Sequence, residues 1–281
     1  MSTDSPLPGG PPLPGGDGEV TGPRAAWPAE AIRDAVVPLL PGLTVEILPE
    51  IDSTNSELMR RARYGRAEPV LLVAEHQSAG RGRLGRVWLS GQRGAALSSL
   101  TFSLGVPLAP ADWSGLSLAV GVSLAESLHQ SIRLKWPNDL WFDDRKLGGV
   151  LIETASFGEG SGARRYAVIG IGINIAAREA AGMARPPAAL RELLPGVQAG
   201  EVFSRVAVPL VQAVSAFERF GFAPFQARFN ARDALRDRAV ALSDGTTGTA
   251  HGTSDAGALL VHTADGMKTV TSSEVSVRPA G

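Results

Sequence analysis

Gly80-Arg81-Gly82-Arg83-Leu84-Gly85-Arg86 is the stretch of this 281-residue chain with the clearest chemical potential. Its glycines let the backbone take positive φ and approach a ligand closely, and its arginines are permanent cations that only donate hydrogen bonds. Residues 76–111 hold Arg81, Arg83, Arg86 and Arg93 and no carboxylate, a local charge of +4 in a chain whose net charge is −1. A glycine-flexed cation loop suits a ligand with phosphate or carboxylate oxygens; a solvated basic surface loop has the same composition. Further polar groups flank it. Ser53-Thr54-Asn55 and Gln77 precede it, and Trp88 follows it. Beyond lie Lys135-Trp136-Pro137-Asn138-Asp139, Lys146-Leu147-Gly148-Gly149 and Gly170-Ile171-Gly172-Ile173-Asn174.

Several chemistries are excluded at this level. Gly80-x-Gly82-x-x-Gly85 spells the dinucleotide-binding fingerprint, but Val87 to Gly91 does not open a helix and no acid occurs before Asp112. No G-x-x-x-x-G-K-[ST] phosphate loop is present. A nucleotide here would be held by arginines on a sheet. The chain has no cysteine, which removes disulfides, thiolate nucleophiles and zinc–thiolate sites. His76, His129, His251 and His262 lie too far apart for metal-ligand spacing. Near-neutral charge gives no electrostatic case for DNA binding. No apolar run approaches the length of a membrane span, and no secretory signal opens the chain, so the expected location is the cytoplasm.

These groups must be positioned by an α+β frame. Residues 1–23 are rich in Pro and Gly and read as a disordered tail. Residues 24–233 read as one large unit. A helix is expected over Ala29 to Leu40 and a strand over Thr44 to Leu48. Thr54 with Glu57 forms a capping-box pattern, so these hydroxyls either cap a helix or face a ligand. Strands are expected at Val70 to Ala74, around Leu100 to Leu104, and at Ile132 to Trp136. Trp113, Leu116, Val120, Leu124 and Leu128 mark an amphipathic helix. Asp143-Asp144 turns a hairpin with Lys146 near its tip, and Tyr166 to Ile175 is a strand whose Gly170 and Gly172 admit close approach by a ligand or another backbone. Ala188 to Leu194 reads as a short helical piece, and Val202 to Phe217 and Phe225 to Phe229 as helices. Residues 234–281 carry short β-like runs broken by Asp-Gly turns, an all-β module of roughly 45 residues, most simply a small barrel.

In this order and spacing the GRGRLGR, KWPND, KLGG and GIGIN motifs resemble those of the biotin protein ligases, over roughly residues 45–281. The resemblance implies a mixed sheet flanked by helices, followed by an SH3-like barrel. It implies an enzyme that joins biotin and ATP into biotinyl-5'-AMP, releases pyrophosphate, and passes biotin to a lysine of a carboxylase's biotin carboxyl carrier domain. It implies biotin contacts from Ser53, Thr54, Asn55, Gln77, Gly80, Arg81, Gly82, Arg83, Lys146 and Gly149, and nucleotide contacts from Arg83, Arg86, Trp88, Asn138, Lys146 and Asn174. Lys146, Arg81 and Arg83 would be catalytic. Asp139 would either contact Mg²⁺ or help deprotonate the acceptor lysine; Asn138 and Asp139 also suit a plain turn after Pro137. The empty arginine loop is expected to be mobile, because clustered cations repel. Regulatory members carry an N-terminal winged helix-turn-helix, and only about 45 residues precede the core here. The expectation is therefore a ligase that does not repress transcription, a monomer or weak homodimer with no DNA or membrane partner. Two rivals remain: a lipoate or octanoate ligase or transferase on a related fold, and a non-catalytic biotin or nucleotide sensor.

Overall fold

The computed structural model describes residues 27–91, 97–156, 165–177, 186–271 and 277–279. The tail 1–23 and Arg93 lie outside the described residues. Seven strands form one mixed sheet: β1 (Thr44–Ile51), β2 (Val70–Gln77), β3 (Ser99–Leu108), β4 (Arg133–Lys135), β5 (Asp139–Phe142), β6 (Arg145–Ser156) and β7 (Arg165–Asn174). Their order is β1-β2-β3-β7-β6-β5-β4; β1 and β2 run parallel and every other neighbouring pair antiparallel.

Alternation along the strands assigns the two faces. Leu71 and Val73 of β2, Leu100, Phe102 and Leu104 of β3, and Ile169, Ile171 and Ile173 of β7 join the large core. That core is closed by α1 (Ala29–Val36), α3 (Leu116–Leu128), α4 (Ala199–Phe220) and α5 (Ala223–Asn230). The opposite side chains, Val70, Leu72, Tyr166 and Val168, pack on Leu58 and Ala62 of α2 (Thr54–Arg63). With both faces covered, β7 is apolar almost throughout, as its sequence reads. Small residues follow on the α2 face: Thr101 and Ser103 on β3, Gly170 and Gly172 opposite them on β7, and Gly149 opposite Gly172 on β6. A helix on one side and a floor of small side chains leave a hollow there.

Three expectations change. The first helix stops at Val36, and Leu39 beyond it is exposed. α3 starts at Leu116 and buries ten of its residues, so it is a central helix between sheet and α4 rather than an amphipathic one. Ala188 to Leu194 contracts to a single 3₁₀ turn at Leu190–Glu192.

The second sheet is antiparallel, in the order β11-β10-β9-β8-β12, from β8 (Ala239–Leu242), β9 (Thr247–Thr253), β10 (Leu259–Thr263), β11 (Gly266–Val270) and β12 (Val277–Pro279). The expected all-β module is present, with β12 as an unforeseen strand. Hydrogen bonds dock it onto the first unit: the Trp136 indole donates to Gly257 O (3.1 Å) and Gln226 Nε2 to Thr253 O (2.7 Å). No helix among the described residues is long and apolar enough to cross a membrane.

Candidate active site

The hollow is a cleft of about 340 Å³. Every site residue expected from the sequence lines it except Gly80. Its floor is the start of α2. Ser53 is extended and caps the helix, its Oγ accepting the Ser56 N–H at 3.4 Å. The capping box expected of Thr54 and Glu57 does not form; the Glu57 carboxylate instead accepts from Arg60 and Arg61. Ser53 takes the cap because Thr54 is turned onto the sheet. There Gln77 Oε1 accepts the Thr54 backbone N–H (2.8 Å) and lies 3.1 Å from Thr54 Oγ1. The Ser103 hydroxyl sits 2.7 Å from both Thr54 Oγ1 and Asn55 Oδ1. Ser53, Thr54, Asn55 and Ser103 are all buried, so this is a desolvated, uncharged hydrogen-bonding cluster.

The arginine loop folds over this floor. At its base the Ser90 hydroxyl accepts the Gln77 N–H (2.8 Å) and donates to Gln77 O (3.0 Å). Trp88 N–H donates to Gly80 O (2.9 Å), Gly82 N–H to Arg86 O (2.7 Å), and Arg81 pairs with Val87 as an isolated β-bridge. A Cβ on Gly80 would stand 2.4 Å from Trp88 O, so the loop closes on itself only with glycine here. Arg81 reaches β6, where its guanidinium donates to both oxygens of Glu153 (3.2 and 2.9 Å). Arg83 turns inward and donates to Asn138 Oδ1 (3.4 Å). Burial pushes its guanidinium below the ordinary arginine value, with Asp139 opposing the shift and Arg86 adding to it.

The far wall carries the other cations. Lys146 Nζ lies 2.7 Å from Asp139 Oδ1 and 5.9 Å from the centre of the Trp88 ring. Lys135 stands beside Asp139 with its ammonium 5.0 Å from the Trp141 ring centre. Burial lowers its pKa below the ordinary lysine value, with Asp139 opposing and Lys146, Arg86 and Arg278 adding to the shift. Lys135, Lys146, Arg83 and Arg86 thus face one cleft around a single Asp139. Such a cation excess attracts a polyanion. Asn138 Nδ2 donates to Val150 O (2.7 Å), and Asn174 Nδ2 to Lys146 O (3.2 Å) and Ala188 O (3.0 Å), so both amides brace the backbone of this wall. Among the described residues no three His, Asp or Glu side chains converge as a metal site. Asp139 offers one carboxylate already paired with Lys146, so the side chains present do not by themselves fit a Mg²⁺ ion.

The bare positions on β7 are filled by the chain itself. A Cβ on Gly170 would stand 2.2 Å from Asn55 Oδ1, and one on Gly172 would stand 2.4 Å from the Trp88 ring. Sequence reasoning passed over Ser103, Ser90 and Glu153, and gave Lys135 no role of its own within its motif. Lys135 was readable, since strand alternation sets it on the face of Asp139 across the turn. Glu153 was not, because a register shift between β5 and β6 at Leu140/Trp141 breaks the counting.

Comparison with known proteins agrees with this architecture. Residues 48–174 match the biotin/lipoate A/B protein ligase family and residues 238–278 the biotin protein ligase C-terminal domain, a two-module class that the two sheets and the cleft define. The bifunctional ligase/repressor BirA of Escherichia coli is 35% identical over 251 residues, 86% of this chain and 76% of that protein. The biotin–[acetyl-CoA-carboxylase] ligase of Paracoccus denitrificans is 31% identical over 248 residues, 82% of this chain and 98% of the relative. The structure of the Aquifex aeolicus biotin protein ligase in complex with biotin and ATP superposes with a TM-score of 0.70 at 30% identity, over 84% of this chain and 99% of that one. The chain belongs to the biotin protein ligase family.

Proposed function

We propose that this chain activates biotin with ATP to biotinyl-5'-AMP, releasing pyrophosphate, and then transfers biotin to one lysine of a biotin carboxyl carrier domain. The observation that carries the reading is the division of one cleft into a buried neutral floor and a cationic wall. Biotin has a neutral ureido ring at one end and a carboxylate at the other. Ser53, Thr54 and Gln77 suit the ureido group, with Asn55 bracing them. A long apolar tunnel for a lipoyl or octanoyl chain would have no use for that cluster.

In the first step a biotin carboxylate oxygen attacks the α-phosphorus of ATP and the bond to the β-phosphate oxygen breaks. Two anions must approach each other, so cations have to offset their repulsion and the charge that develops. Lys146 and Arg83 face the junction of floor and wall and take that role, while Arg81 holds the loop and its glycines close to biotin. Arg86, Trp88 and Asn138 serve the nucleotide, and Asn174 keeps Lys146 in place. Any Mg²⁺ would be brought by the ATP phosphates rather than held by these side chains. In the second step the acceptor amine attacks the acyl carbonyl, AMP leaves, and the amine loses a proton, for which Asp139 is the available acceptor. A repressor role is not part of the proposal: α1 packs on α4 and β1 as an element of the catalytic unit. The test is exchange of labelled pyrophosphate into ATP with biotin, lipoate or neither added. Biotin-dependent exchange supports the reading. Exchange with lipoate moves the chain to the lipoate ligases, and no exchange with either acid makes it a binding protein.

A further inference from the structure

Asn55, Glu153 and Arg81 form a connected chain, and the reaction as described gives Glu153 no role. Asn55 Nδ2 lies 3.0 Å from Glu153 Oε2 and 3.3 Å from Leu151 O. A carboxylate and a carbonyl are both acceptors, so the Asn55 amide must turn its NH₂ to them and its oxygen to Ser103. Ser103 therefore spends its single proton on Asn55 Oδ1. Its second contact, 2.7 Å to Thr54 Oγ1, then needs the Thr54 proton; Gln77 Oε1, 3.1 Å from the same hydroxyl, is a competing acceptor, and the shorter contact takes the proton. With its own proton turned to Ser103, Thr54 Oγ1 presents lone pairs to the cleft that it lines. The other Glu153 contact is the two-oxygen pair with Arg81, which ties the start of the arginine loop to β6.

We propose that Glu153 is a positioning residue with two effects: through Asn55 and Ser103 it makes Thr54 an acceptor for an N–H group of the ligand, and through Arg81 it anchors the loop over that ligand. The first effect rests on the biotin reading, because the ureido ring supplies the N–H. The second depends on no ligand. Glu153 thereby links specificity at the floor to closure of the loop without touching substrate.

The experiment uses the full-length chain and two variants, Ser103→Ala and Glu153→Gln. Binding of biotin, and of biotin methylated on a ureido nitrogen, is read by calorimetry. Loop anchoring is read by hydrogen exchange across residues 78–91 without ligand. Ser103→Ala cuts the relay and spares the anchor: affinity for biotin should fall about tenfold or more, discrimination against the methylated analogue should shrink, and loop exchange should match wild type. Glu153→Gln retains a carbonyl for Asn55, but one side-chain amide cannot replace both carboxylate oxygens at Arg81. Loop exchange should therefore rise, and KM for biotin should rise with kcat largely kept. Wild-type affinity and discrimination in Ser103→Ala would overturn the relay, and wild-type loop exchange in Glu153→Gln would overturn the anchor. A wild-type chain that binds no biotin would instead refute the proposed function and the relay built on it, while the exchange arm still decides the anchor.

Discussion

Replacing Lys146 with alanine separates catalysis from folding more sharply than any other change in the cleft. Its ammonium lies 2.7 Å from Asp139 Oδ1, and the side chain is 43% exposed against 15% for Asp139. At an effective dielectric near 20 two charges at that distance attract by about 6 kcal/mol before desolvation is counted. Solvent reaches Lys146, so the net value of the pair is about 1 kcal/mol or less. Lys135 also remains beside Asp139 to hold its charge. A loss of that size lowers Tm by only about 2–4 °C in a chain this long. The chemical loss is larger. Removing one preorganised cation from a transition state that gathers phosphate charge costs about 3 kcal/mol, roughly a hundredfold in rate. Biotin-dependent pyrophosphate exchange should therefore fall about a hundredfold in a protein that melts within a few degrees of wild type. Exchange within about threefold of wild type would refute the role assigned to Lys146. A fall accompanied by collapse of the melting transition would make Lys146 a structural residue instead.

Two further outcomes follow from the packing. In Gly172→Ala the new methyl would stand 2.4 Å from the Trp88 ring, so the indole must leave its seat on β7 and KM for ATP should rise about tenfold; an unchanged KM would mean that Trp88 does not cover the nucleotide. Asp233, beside a second cavity near the β5–β6 turn, has its carboxyl pushed up from 3.8 to about 6 by burial, with the Leu235 backbone N–H and Arg236 opposing and Asp237 adding to the shift. The native state holds that proton where the unfolded chain has lost it, so this contribution to stability is complete below about pH 4 and declines as pH rises to about 6. Asp233→Asn should therefore be more stable than wild type at pH 7.5, by on the order of 1–2 kcal/mol, with the gap closing near pH 4. Urea unfolding at the two pH values checks it, and a pH-independent gap would refute the assignment.

The residues of the cleft, the strand-rich frame and the separate β module were legible in the sequence by itself. The apolar runs of β2 and β7, the alternation along β3, the Asp-Gly turns of the last module and the crowding of glycine with arginine are local signals, and local signals survive without knowledge of the fold. What the tertiary structure decided was which groups those residues meet. Ser53 rather than Thr54 caps α2 because Gln77, on a strand 23 residues away, claims Thr54. Gly170 and Gly172 are bare because Asn55 and Trp88 lie against them on the sheet. α3 is buried nearly all round because α4 closes over the side that its own periodicity left open. Glu153 meets Arg81 across 72 residues, brought there by the pairing of β6 with β7 and the closure of the loop at Ser90. Residue types alone supply donors, acceptors and charges. Their pairing, and with it the direction of each hydrogen bond on the floor, depends on distances that only the packed sheet sets.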